Sequence, residues 1–317
     1  MIAVLGLGSI GLRHARNALS LGEKVIGFDP SPERRALLEA EGGSTTDSRD
    51  AALEAAEAAV IASPSDRHED DLAAAIDAGC HALVEKPIGH RVGRLPELLD
   101  RADAAKLIVA AALNLRVHPC VALTKRALRE NRLGHVLWGR FLAALYLPDW
   151  RPGQDYRQGY ANDPKTGGAI FDYIHEFDLA AHLLGSFKPA ACVARNSGTL
   201  GLESEDVADA ILDHPGGITS TVHVDYITRP RLRGFHLTGT EAHLHVDLDR
   251  RHFRLMDREG HVALDYAMPG SYAEDYITEM SAFLDALKGE PVVCSGREAL
   301  EVLEGVILTR SLAGLPT

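Results

Sequence analysis

The sequence predicts two fold classes in tandem. The first is an α/β N-terminal Rossmann domain with a doubly wound parallel sheet; the second is an α+β domain with a large open-faced, mainly antiparallel sheet. Three observations carry this expectation. Strand and helix patterns alternate as far as Ala112, the signature of βαβ units. The first strand runs straight into Gly6-Leu7-Gly8-Ser9-Ile10-Gly11. After about Pro119 the alternation gives way to longer period-two segments, Thr219–Ile227 and His236–Leu248, each with one polar and one apolar face.

Taken in order, Ile2–Leu5 reads as a strand, Ile10–Leu21 as a helix and Lys24–Phe28 as a strand. Pro32–Glu41 is helical, with proline in its first turn. A short helix over Asp50–Ala56 precedes the small buried strand Ala58–Ala62. Asp66, followed by Glu69, reads as a capping box for a helix that runs to Ala78. His81–Val84 is a strand, Pro96–Ala105 a helix and Leu107–Ala112 a buried strand. The second domain opens with a helix over Cys120–Asn131, and helices over Ile170–Leu184 and Tyr272–Lys288 interrupt or end its strands. The expected division is residues 1–119 and residues 120–317.

The glycine turn specifies a dinucleotide. Gly6 permits a tight strand-to-helix turn, Gly8 lets a pyrophosphate reach the backbone, and Gly11 lets the helix pack closely on the sheet. The helix then aims unpaired amides at the phosphates. Asp29 closes the second strand 23 residues after Gly6, near the spacing for a carboxylate that accepts from an adenosine ribose diol. The same charge would repel a 2′-phosphate, so NAD is expected ahead of NADP, with Arg34 and Arg35 able to soften the preference. Gly6, Gly8, Ser9, Ile10, Gly11 and Asp29 are the expected cofactor-binding residues of this turn.

A chain of 317 residues accommodates two domains with real cores, and 46% hydrophobic with 25% charged residues suits a globular protein. A net charge of −12 without a basic stripe argues against a nucleic-acid or anionic-membrane surface. No basic leader or membrane-length apolar run is visible, so a cytoplasmic protein is expected. Cys80, Cys120, Cys192 and Cys294 are widely spaced and read as reduced thiols. No metal site is expected: His243, His245, Asp247 and Asp249 alternate with Leu244, Val246 and Leu248, and a polar sheet face is the simpler account.

Two segments carry candidate chemistry. Glu85-Lys86-Pro87 follows a predicted parallel strand, and ligands of open α/β sheets bind at strand carboxyl ends. A lysine there can polarise an oxygen and help move its proton, although the tripeptide alone also suits a surface turn. The second segment runs from Gly167 to Asp178 and opens a helix on which Asp172 and His175 share a face. A carboxylate beside an imidazole fixes its tautomer and suits it to general-base work on an alcohol; a lone helical histidine is also commonly structural. Trp150, Arg151, Asp155, Tyr156 and Tyr160 fall in an irregular stretch just before it. Aromatic faces with polar neighbours suit a sugar, and equally suit a loop packed on its own domain. Glu205-Asp206 is assigned no chemistry, and His14 is read as helix packing.

These motifs together resemble the Gfo/Idh/MocA oxidoreductases across nearly the whole chain. The likeness rests on Gly6-x-Gly8-x-x-Gly11, on Ser63-Pro64 with His68, and on Ala78-Gly79-Cys80-His81-Ala82-Leu83-Val84-Glu85-Lys86-Pro87. It continues through Asn114-Leu115-Arg116-Val117-His118-Pro119 and the Gly167–Asp178 helix start. It implies a nicotinamide cofactor and hydride exchange with a secondary alcohol of a sugar, polyol or sugar acid. By this likeness Lys86 and His175 are catalytic, with Asp172 as the partner of His175. Ser63, Pro64, His68, Glu85, Lys86 and Asn114 join the cofactor-binding set. Lys86, Asn114, Arg116, Trp150, Arg151, Tyr156, Asp172 and His175 form the substrate set. The aspartate lies three residues before the histidine rather than the four common in the family, so His175 transfers more firmly than Asp172.

The expected mechanism has Lys86 and His175 acting on a single oxygen, one taking the proton and the other steadying the charge, with either division of roles open. A homodimer or homotetramer is implied. Two alternatives stand beside the dehydrogenase: an NAD-dependent glycoside hydrolase using transient oxidation, and a non-catalytic dinucleotide-sensing regulator.

Overall fold

The computed structural model describes residues 1–150, 153 and 155–317. They pack as two units: Met1–Val117 with Gly270–Leu303, and His118–Pro269 with Glu304–Thr317. The linear division at residue 119 therefore meets only the first of three crossings of the chain.

In the first unit six strands form one sheet: β1 (Ile2–Leu5), β2 (Val25–Phe28), β3 (Ser44–Thr46), β4 (Ala58–Ile61), β5 (His81–Glu85) and β6 (Val109–Ala112). Their order is β3-β2-β1-β4-β5-β6 and every pairing is parallel. β1 and β4 are buried along their whole length, as strands covered on both faces must be. The edge strand β3, three polar residues long, carries no apolar period and escaped the sequence pattern.

Five helices connect these strands: α1 (Ser9–Ser20), α2 (Pro32–Ala40), α3 (Arg49–Glu54), α4 (His68–Asp77) and α5 (Leu95–Ala104). Ser31 and Ser48 cap α2 and α3 by accepting from the amides of Arg34 and Ala51. The capping box expected at Asp66 does not form. α4 begins at His68 without a side-chain cap, because Glu69 accepts instead from the backbone and Nε of Arg94, at 3.0 and 3.1 Å.

The second unit begins with α6 (Pro119–Arg129) and strand β7 (Val136–Tyr146), followed by α7 (Leu147–Trp150), α8 (Ala169–Asp172) and α9 (Ile174–Leu184). The remaining strands are β8 (Lys188–Arg195), β9 (Val207–Asp213), β10 (Thr219–Asp225), β11 (Ile227–Gly239), β12 (Ala242–Asp247), β13 (His252–Asp257) and β14 (Val262–Ala267). They join β7 in an eight-stranded sheet ordered β14-β13-β12-β11-β7-β10-β9-β8. All pairs are antiparallel except β7 with β10.

Phe141, Phe235, Leu244 and Phe253 line the buried face, with Phe141 and Phe235 stacked at 5.6 Å. Cross-strand register sets Trp138, Arg140, His236, His243 and His245 on the other face. Two expected elements are each divided in two. His236–Leu248 turns back at Thr240-Glu241 to make the β11–β12 hairpin. Ile170–Leu184 breaks at Tyr173, whose φ of −97° and ψ of 32° interrupt the helix between α8 and α9.

The chain then returns to the first unit as α10 (Tyr272–Ala286), and α11 (Gly296–Leu312) runs from one unit into the other. Met280, Phe283 and Leu284 of α10 enter the same core as Ile2, Val4, Leu12 and Val60. Among the described residues no helix is long and apolar enough to cross a membrane.

Candidate active site

The first unit builds the glycine turn from backbone constraint. Gly6 has a φ of +87°, and a Cβ there would lie 2.7 Å from the Ala62 carbonyl. A Cβ on Gly11 would fall 1.8 Å from the Gly6 oxygen, so only glycine lets α1 start this close to the sheet. Nothing lies within 4 Å of the Cβ position of Gly8, and α1 has no side-chain cap and no acidic residue in its first turn. No side chain caps its first amides, which suits phosphate binding.

Asp29 follows β2, almost wholly buried, and accepts from Leu7 N (2.8 Å) and Ser31 N (2.9 Å). Arg34 approaches the carboxylate at 3.4 Å and Arg35 donates to the Asp29 carbonyl at 2.6 Å. Asn114, following β6, buries an Nδ2 that has no hydrogen-bond partner, a donor available to a bound carboxamide. These features fit a nicotinamide dinucleotide.

The other residues expected around the cofactor have partners in the protein. Ser63 donates its hydroxyl to Asp71 at 2.7 Å, while Pro64 is exposed. His68 is buried, with Nδ1 2.9 Å from the Pro87 carbonyl and Nε2 2.9 Å from that of Ser63. Glu85, at the end of β5, accepts from Lys86 N at 3.0 Å and pairs with His14 Nε2 at 2.7 Å. Burial alone would raise the Glu85 carboxyl. His14 and the Lys86 ammonium outweigh it and hold the group below the ordinary carboxylate range. The Lys86–Pro87 bond is cis. Arg116 reaches Val293 O (3.1 Å) and Glu298 (2.7 Å), within its own unit.

The second unit organises Asp172 and His175, both buried. Asp172 ends α8 and accepts from Tyr160 Oη at 2.7 Å and from Tyr226 Oη at 2.5 Å. Burial, with the Asp172 charge beside it, pushes the Tyr226 phenol well up, so it stays protonated and donates. His175 lies in the first turn of α9, next to Glu176, which forms a bidentate pair with Arg233 at 2.7 and 3.1 Å.

Gly167 and Gly168 lead into α8, Gly168 with a φ of +88° and its Cβ position 2.2 Å from Glu205 Oε2. Glu205 accepts from Ile170 N at 3.2 Å and from the fully buried Arg310 at 2.9 Å. Arg310 also donates to the carbonyls of Gly167 and Pro164. Sequence reasoning gave Glu205 no role and passed over Tyr226 and Arg310. Glu205, Tyr226 and Arg310 lie 33, 54 and 138 residues beyond Asp172, distances that carry no spacing signal.

Of the expected sugar-facing stretch, Trp150 is exposed, and Tyr156 donates its hydroxyl to Leu200 O at 3.0 Å. Arg151 lies outside the described residues. On the open sheet face His236 packs against His243 and His245, with ring centroids 5.6 and 4.3 Å away. Among the described residues no group of three or more His, Cys, Asp or Glu is arranged to hold a metal ion.

A sheet of order 3-2-1-4-5-6 whose first strand feeds an uncapped helix through this turn defines the class: a dinucleotide-binding Rossmann protein. Residues 1–113 match the oxidoreductase family with an NAD-binding Rossmann fold, and residues 121–245 match the GFO/IDH/MocA C-terminal domain. The chain belongs to the Gfo/Idh/MocA family.

Among its curated relatives, 1,5-anhydro-D-fructose reductase of Ensifer adhaerens is 27% identical over 84% of this chain and 81% of its own. UDP-N-acetylglucosamine 3-dehydrogenase of Acidithiobacillus ferrooxidans is 25% identical over 97% of this chain and 95% of its own. A solved structure of levoglucosan dehydrogenase with NADH and levoglucosan shares the fold, with a TM-score of 0.87 at 19% identity, covering 99% of this chain and 96% of that one.

Proposed function

We propose that this protein is an NAD-preferring dehydrogenase that reversibly oxidises a secondary alcohol of a sugar, polyol or sugar acid. The observation that carries this is the buried Asp29 carboxylate beyond a glycine turn of the kind that binds dinucleotides. Asp29 would accept from the adenosine ribose and disfavour a 2′-phosphate. The Gly6–Gly11 turn would hold the pyrophosphate, and Asn114 would donate towards the carboxamide. A bound nicotinamide supplies a hydride acceptor or donor.

The chain's own residues handle the proton. His175 takes it from the substrate hydroxyl with Asp172 as its partner, and Lys86 steadies the developing alkoxide. The family names of the relatives support a carbohydrate substrate; they do not choose among sugars. The first domain is the NAD(P)-binding domain. The second carries substrate binding and subunit assembly, through an open face that exposes Trp138, Val193 and Ile211. Four free cysteines agree with a cytoplasmic location.

The test is a screen of polyols, aldoses, uronic acids and amino sugars that follows nicotinamide absorbance with NAD and NADP separately. Substrate-dependent NADH formation is the expected result. Cofactor-dependent conversion with no net NADH would replace the dehydrogenase with a transient-oxidation hydrolase. Light scattering on the same preparation tests assembly, with a monomer as the refuting outcome.

A further inference from the structure

The two residues that flank Lys86 are each held by a buried histidine from a different helix. On one side His14 of α1 is fully buried and its Nε2 lies 2.7 Å from Glu85 Oε1, while Glu85 Oε2 accepts the Lys86 amide at 3.0 Å. On the other side His68, in the first turn of α4, is 1% exposed and places Nδ1 2.9 Å from the Pro87 carbonyl. The second nitrogen of His68 lies 2.9 Å from Ser63 O, in the loop after β4. The His14–Glu85 and His68–Pro87 contacts are buried, and the contacts to the Lys86 amide and the Ser63 carbonyl are part-buried. Buried imidazoles serve a core poorly compared with an apolar residue of similar size unless their hydrogen bonds matter.

We infer that His14 and His68 are positioning residues for Lys86, forming a two-sided clamp that ties the Glu85-Lys86-Pro87 segment to the dinucleotide-binding helix and to α4. The inference rests on the proposed role of Lys86 but is judged by a measurement that does not need it. Side-chain N–H donation, not volume, is what the clamp requires; burial disfavours the charged form of His68, so its single N–H must sit on Nδ1, facing the Pro87 carbonyl rather than that of Ser63. Glutamine at either position keeps an N–H donor; leucine fills similar space without one.

The experiment compares His14→Leu, His14→Gln, His68→Leu and His68→Gln in the full chain. Hydrogen–deuterium exchange is followed over residues 83–90 without cofactor, beside NADH binding, kcat and KM. In the leucine variants the segment should exchange about tenfold faster, as expected for losing one charge-assisted or buried hydrogen bond. Their kcat should fall about 10- to 100-fold through misplacement of Lys86, with KM little changed. The glutamine variants should recover most of both effects.

Equal behaviour of leucine and glutamine variants would reduce both histidines to packing and overturn the clamp. If a leucine variant does not fold, Glu85→Gln replaces it, since that change weakens the acceptor of His14 at constant volume. Unaltered exchange in Glu85→Gln also counts against the clamp. Full turnover by Lys86→Ala would remove the catalytic role of Lys86, while the exchange result would still decide whether the clamp exists.

Discussion

Tyr226, a residue with no solvent exposure, donates its hydroxyl to Asp172 at 2.5 Å, and Tyr160, a residue 47% exposed, donates to the other carboxylate oxygen. The two phenols are thus unequal partners of one buried charge. Tyr226→Phe should cost about 1–3 kcal/mol, because it removes a buried hydrogen bond to a carboxylate. Tyr160→Phe should cost less, since water can replace its hydroxyl. Urea unfolding of both variants reads the difference, and equal losses would contradict it.

The roles proposed for Lys86 and His175 predict a separation of binding from turnover. Lys86→Ala and His175→Ala should each lower kcat by about 10²–10⁴-fold while NADH binding changes little. If the two groups act on the same oxygen, the double variant should lose much less than the product of the single losses. Multiplicative losses would assign them to independent tasks.

Asp29 predicts the cofactor preference. Asp29→Ser removes the proposed ribose acceptor and the charge proposed to oppose a 2′-phosphate, leaving Arg34 and Arg35 beside it. The ratio of kcat/KM for NADP over NAD should rise by about tenfold or more, equivalent to about 1.4 kcal/mol. An unchanged ratio would place discrimination elsewhere.

Glu279 of α10 is buried, its Oε2 has no hydrogen-bond partner, and burial with the nearby Glu85 charge pushes its carboxyl well above the ordinary value of 4.5. The folded protein therefore keeps a proton that the unfolded chain releases above about pH 4.5. Stability falls as pH rises from there through the folded value. Glutamine has no such penalty, so Glu279→Gln should melt higher than wild type at about pH 8, and the gap should close towards pH 4. Each kcal/mol recovered corresponds to about 2–4 °C. A gap independent of pH would mean that Glu279 is ionised or not buried.

A histidine on the open sheet face gives the opposite sign. Burial, with His245 and His243 beside it, pushes His236 down to about 4. An unfolded histidine takes up its proton near 6.5, so stability should decline as pH drops from about 6.5 to about 4. His236→Gln should flatten that part of the melting curve, and an unaltered slope would rule His236 out as its source.

The dinucleotide turn was legible because its constraints are local: Gly6, Gly8 and Gly11 answer to backbone clearances within a few residues, and Asp29 closes the adjacent strand. Continuous apolar runs likewise marked β1, β4 and β6, whose burial on both faces leaves little ambiguity. The hairpin at Thr240-Glu241 was hidden because β11 and β12 carry the same period-two pattern across the turn. The break at Tyr173 was hidden because helix periodicity barely changes there. Tyr226, Glu205 and Arg310 meet the α8 region only through the fold, and polar contacts between distant segments leave no period to read. Glu69 shows the converse: a local capping pattern was present, but Arg94 offered it a stronger electrostatic partner.

The placement of Met280, Phe283 and Leu284 against Ile2, Val4 and Val60 has a practical meaning for anyone dissecting the gene. A fragment that stops near residue 119 would encode every strand of the parallel sheet yet leave one of its apolar coverings on the discarded piece. Such a fragment should aggregate, whereas adding residues 270–303 as a fusion or a separate peptide should restore solubility. The first unit is thus assembled from two stretches of the chain far apart in sequence, and neither stretch is expected to fold without the other.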